Sequence, residues 1–92
     1  MRVILTAQAV ADLRSIRSYV SQDSPRAADR LGRQLVEACE TLTTHPNRGR
    51  QGLEPGTREY VAISPYVIAY RVQPDAVYVL HIWHGAQSRP SA

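Results

Sequence analysis

Few side chains in this sequence are equipped for covalent chemistry. The histidines are His45, His81 and His84, and the lone cysteine is Cys39. A histidine pair can exchange protons or hold a metal, provided that both rings converge. His81 and His84 sit in the run Val77-Tyr78-Val79-Leu80-His81-Ile82-Trp83-His84, which reads as a strand. Their odd separation sends them to opposite faces of such a strand. Neither a proton relay nor a metal site is expected, and no cofactor. Cys39 falls in a helical apolar stripe, where a buried core thiol is expected rather than a nucleophile. One cysteine also allows no internal disulfide.

What remains is cationic. All eleven basic residues are arginine, and there is no lysine. Guanidinium groups suit planar recognition of carboxylate or phosphate. The formal charge of +3 fits an acidic protein partner as well as RNA or DNA. Arg48 and Arg50 flank Gly49 in a loop, while Arg58 and Arg71 fall in strand-like segments.

The elements that position these residues follow from periodicity. Arg2 to Leu5 is a short β-prone run, and Thr6 is placed to cap a helix. From Ala7 to about Ser21, apolar residues recur at Val10, Leu13, Ile16 and Val20, the spacing of one helical face. Asp23-Ser24-Pro25 breaks and restarts the chain, with Ser24 as cap and Pro25 in the first turn. Ala28, Leu31, Leu35, Ala38, Cys39 and Leu42 form a second stripe, which should stop near Thr44, ahead of His45-Pro46. The segment from Pro46 to Gly56 reads as a loop. Arg58 to Ser64, Tyr66 to Val72 and Ala76 to His84 read as strands joined by turns at Ser64-Pro65 and Gln73-Pro74-Asp75. The expected fold is α+β in the order β-α-α-β-β-β, a helical hairpin packed on a small, mainly antiparallel sheet.

The 92 residues suit a single domain with one modest core and a polar tail over about 87–92. The hydrophobic content of 43% excludes a disordered chain. The apolar runs are too short for a membrane span, and no secretory leader is apparent. A cytoplasmic protein is expected.

Several blocks resemble the RelE/ParE toxins of bacterial toxin–antitoxin pairs. Ala9-Val10-Ala11-Asp12-Leu13 with Ile16 and Tyr19 is similar to the first helix of that family. His45-Pro46-Asn47-Arg48-Gly49-Arg50 resembles its proline–arginine–glycine connector. Arg58-Glu59-Tyr60-Val61, Tyr66 to Val72, and Val79 to Ala86 resemble its later strands. The resemblance implies a toxin silenced by a cognate antitoxin in a hetero-oligomer. It also implies one of two activities, or, where toxicity is lost, a non-toxic module that only binds antitoxin. ParE-type members resemble inhibitors of DNA gyrase, whereas RelE-type members resemble nucleases that cut messenger RNA on the ribosome.

RNA cleavage needs a base, an acid and a cation converging on one phosphate. The candidates are His84, Arg71 and Arg58. Nucleolytic members tend to carry a basic residue near the position of Val67, which is absent here. The ParE-type reading is therefore preferred, with no catalytic residue. The expected contacts with target or antitoxin are Arg48, Arg50, Arg58, Tyr70, Arg71, Trp83, His84 and Arg89. Tyr60, Tyr66, Tyr70 and Tyr78 share even positions and would form one aromatic docking face if register holds.

Overall fold

The computed structural model describes residues 1–86, so Arg89 and the expected polar tail lie outside the described residues. Strand β1 (Arg2–Leu5) is followed by helices α1 (Ala7–Ser21) and α2 (Pro25–Thr41). Strands β2 (Arg50–Gln51), β3 (Thr57–Tyr60), β4 (Tyr66–Val72) and β5 (Ala76–His84) complete the described chain. The sheet order is β1-β5-β4-β3-β2, with β1 parallel to β5 and the other pairs antiparallel.

Both helices begin as their caps require. Thr6 Oγ1 accepts from the Ala9 amide at 3.2 Å, and Ser24 Oγ from the Ala27 amide at 3.1 Å. Each satisfies an amide that has no partner within its helix. From α2, Ala28, Leu35, Ala38 and Cys39 are buried, whereas Ala9 alone is fully buried from α1. Helix α2 thus gives more buried residues than α1 to the cluster that includes Ile68, Tyr70, Val77, Val79 and Ile82, while α1 lies along β5.

The bounds of the elements depart from the sequence reading in three places. Helix α2 ends at Thr41 rather than Thr44, and the chain turns through Thr43, Thr44 and His45 amides bonded to Glu40 and Thr41 carbonyls. The loop after it contains the short strand β2, whose Arg50 and Gln51 pair with Glu59 and Arg58. Strand β3 stops at Tyr60 because the following residues fold into a turn, closed by the Tyr66 amide on the Ile63 carbonyl at 2.8 Å. Val61 is left exposed there, while Ile63 packs back on the core.

A bulge in β5 changes which side chains share a face. Ala69 pairs with His81 and Tyr70 with Val79, so Leu80 is an extra residue. Before it, Val77 and Val79 face the helices; after it, Ile82 does. Tyr60, Tyr66 and Tyr70 pack on the helix side, but Tyr78, ahead of the bulge, does not. The expected common tyrosine face is therefore not formed. β1 also ends opposite Val79, leaving the second half of β5 without a strand neighbour on that side. There the Ile82 amide donates to Asp12 Oδ2 of α1 at 3.0 Å, which ties the helix to the strand edge.

Cys39 is fully buried, as expected. Burial, reinforced by the Glu40 carboxylate, pushes its thiol up from 9.0 to about 12. Above the unfolded value the unfolded chain releases a proton that the folded chain retains, so this residue costs stability as pH rises past about 9. A Cys39→Ala chain should lose stability less steeply than wild type between about pH 9 and 11 in denaturant titrations. Parallel curves would contradict the burial of a protonated thiol.

Candidate functional site

The loop between α2 and β3 is held by one buried hydroxyl. Tyr70, fully buried on β4, donates to the Pro46 carbonyl at 2.7 Å and accepts from the Gly49 amide at 3.0 Å. Gly49 permits that approach, since a Cβ there would lie 2.8 Å from the tyrosine oxygen and 2.9 Å from the Glu59 carbonyl oxygen. Arg58 completes the clamp by donating from Nη1 to the Gly49 carbonyl at 2.8 Å and to that of Asn47 at 3.3 Å. Arg58 and Tyr70 are cross-strand partners, which places both grips on the helix side of the sheet.

The other arginines hang on this frame. Arg48 is exposed, with its guanidinium carbon 4.9 Å from the centre of the Tyr60 ring, within cation–π range. Arg50 pairs with Glu59 at 3.2 Å; the carboxylate is nearly buried, whereas the arginine side chain is 64% exposed. Glu59 was not singled out from the sequence. Its signal was its place opposite Arg50 on β2, a strand too short to recognise. Arg71, half-buried, reaches from β4 to the Pro55 carbonyl at 3.3 Å.

The proposed nuclease set is not brought together. His84 pairs with Tyr66 at one end of β4, and their rings meet edge to face at 5.3 Å. Arg71 lies at the other end of β4, roughly 17 Å away at about 3.3 Å per residue, and on the opposite face. Arg58 is two strands across and roughly 13 Å along from His84 by the same spacing. His84 Nδ1 accepts from the Ala86 amide at 3.0 Å. His81 faces away from His84, with its Nδ1 3.7 Å from Asp12 Oδ2. Among the described residues no group of three or more His, Cys, Asp or Glu could hold a metal ion.

Two expected contact residues belong to the interior. Tyr70 is 0% exposed and Trp83 only 7%, because both point into packed faces of the sheet. Their contribution is to the scaffold, unlike Arg48, Arg50, Arg58, Arg71 and His84, which keep some access to solvent. An open groove runs along the helical hairpin. Leu13, Gly32 and Val36 line it together with Arg33, Glu37, Glu40 and the Arg17–Asp29 ion pair, closed at 2.8 Å.

Residues 3–89 match the family described as the ParE toxin of the type II toxin–antitoxin system, parDE. The chain belongs to the ParE toxin family. It is also 42% identical over 87 residues to Toxin RelE2 of Caulobacter vibrioides, covering 94% of this chain and 97% of that protein. Among solved structures it is similar to a chain of the chromosomal ParDE system of P. aeruginosa, with TM-score 0.80, 27% identity, and 91% and 95% of the two chains covered. A chain of the RelBE2 toxin–antitoxin complex of Mycobacterium tuberculosis shares the fold, with TM-score 0.65, 24% identity and coverage of 90% and 95%. This ParE-family chain is thus a type II toxin, and its two helices on a mainly antiparallel sheet match the toxin folds of those systems.

Tyr70→Phe tests the frame. It removes the donor to Pro46 and the acceptor of Gly49, and should lower the free energy of unfolding by about 1–3 kcal/mol in urea. An unchanged unfolding midpoint would mean that the hydroxyl does not hold the loop.

Proposed function

We propose that this toxin arrests growth by binding DNA gyrase, without catalysis of its own, and that a cognate antitoxin silences it in a hetero-oligomer. The observation that carries this reading is the dispersal of His84, Arg71 and Arg58 over two faces and both ends of the sheet. General acid–base cleavage of RNA requires those groups within hydrogen-bond reach of one phosphate. Arg58 and Arg71 are instead bonded to loop carbonyls. Guanidinium groups fixed in this way remain available at their outer N–H groups for a carboxylate of a protein partner. The family match to ParE toxins supports the same choice.

The antitoxin reading is supported by the ParDE and RelBE2 complexes whose toxins share this fold. The groove between α1 and α2 offers a seat for an amphipathic helix, apolar along its floor and charged with both signs at its rims.

A second reading is favoured by the name of one relative, Toxin RelE2 of Caulobacter vibrioides. It makes the chain a ribosome-dependent endoribonuclease using His84 with Arg71 or Arg58, with the ribosome and messenger RNA as its partners.

Purified gyrase should lose supercoiling activity or accumulate cleaved DNA when this toxin is added, and stoichiometric antitoxin should restore it. A Val36→Asp toxin should inhibit gyrase normally yet escape that rescue. Gyrase that works normally in the presence of excess toxin would refute the gyrase reading.

A further inference from the structure

We infer that the toxin engages its target protein through the tip of the β2–β3 hairpin, with Leu53 as an apolar anchor entering a pocket rimmed by carboxylates. The inference rests on the reading above that the toxin acts by binding a protein.

Leu53 is 74% exposed, more than Met1, Tyr19 or Val61, the other large apolar side chains in solvent among the described residues. A single exposed leucine is ordinary in itself. The difference here is the frame beneath it. The Gly52 amide donates to the Thr57 carbonyl at 2.8 Å, and the Thr57 amide and hydroxyl both donate to the Glu54 carbonyl, at 3.1 and 2.6 Å. Gly56 adopts a φ of +81°, a left-handed conformation that glycine takes without strain. Arg71 closes the turn from below, bonding to the Pro55 carbonyl, with Nη1 2.7 Å from where a Cβ of Gly56 would stand. The turn that presents Leu53 is therefore ordered before any partner arrives, which removes much of the ordering cost of binding.

Charge around the tip selects the partner. Arg50, Arg58 and Arg71 belong to the hairpin and the strand beside it, and Arg48 to the adjoining loop. Against these four stand two carboxylates, the buried Glu59, which pairs with Arg50, and the exposed Glu54 of the turn. The outward balance is positive and complements carboxylates on the partner. A nucleic-acid backbone fits less well. Leu53, the most exposed large apolar side chain of the described residues, gains nothing from a phosphate, whereas a protein pocket can bury it.

The test uses the full-length toxin carrying Leu53→Asp or Leu53→Met, expressed in bacteria and scored by survival. Antitoxin binding by each purified variant serves as the check on folding. Leu53→Asp should abolish growth arrest and weaken binding to gyrase by at least about tenfold. Leu53→Met should keep both, and both variants should bind antitoxin like wild type. Wild-type binding to gyrase should also weaken as salt is raised, through screening of the arginines. Full toxicity of Leu53→Asp would overturn the role of the tip, and salt-independent affinity would overturn the acidic rim. If wild type arrests growth while leaving gyrase untouched, the gyrase reading fails, yet the survival of the two variants still decides the role of Leu53. Wild type that does not arrest growth overturns both.

Discussion

The hydroxyl of Tyr70 is the interaction on which the rest of the functional half depends. A loop that passes over a buried aromatic ring must satisfy its inward-facing amide and carbonyl, or each costs free energy on folding. Here one phenol meets both needs, giving its proton to Pro46 and accepting one from Gly49. The ring fills the core beneath α2 while its oxygen fixes the path of the chain towards β2. From that point the positions of Arg48, Arg50 and the hairpin tip follow, because β2 has only two residues with which to hold its own register.

In this arrangement three of the arginines have structural partners. Arg58 stabilises the loop it flanks, Arg71 braces the tip, and Arg50 neutralises a buried carboxylate. A catalytic cation must be free to meet charge that develops in a transition state. Cations bonded to backbone carbonyls serve shape first, and their remaining N–H groups suit recognition. The proposal that the toxin acts by contact rests on this use of the arginines among the described residues.

Much of the fold was legible because local and global signals agree. Thr6 and Ser24 are capping residues at the positions where the apolar stripes begin, and both cap their helices. β4 and β5 run as the sequence suggested, since each contributes buried residues over most of its length. β2 was not legible, because Arg50 and Gln51 carry no periodicity and their pairing is set by the Tyr70 clamp. The end of β3 was misplaced because Val61 and Ile63 alternate like a strand, although Ile63 reaches the core from a turn. The aromatic face failed at Tyr78, since a bulge at Leu80 leaves no mark in alternation. Of the candidate site, the sequence marked out the arginines but not the groups to which they bond. Glu59, Pro46 and Pro55 come into range only through the tertiary fold.

The central claim is that this toxin binds its target and cuts nothing. Its most direct test is transcript integrity in a purified translation reaction containing ribosomes, messenger RNA and wild-type toxin, with ends mapped by primer extension. The account predicts full-length messenger RNA and continued translation. Transcripts cut at the ribosome by wild type, and left intact by His84→Ala, would contradict it and make the scattered histidine and arginines catalytic after all.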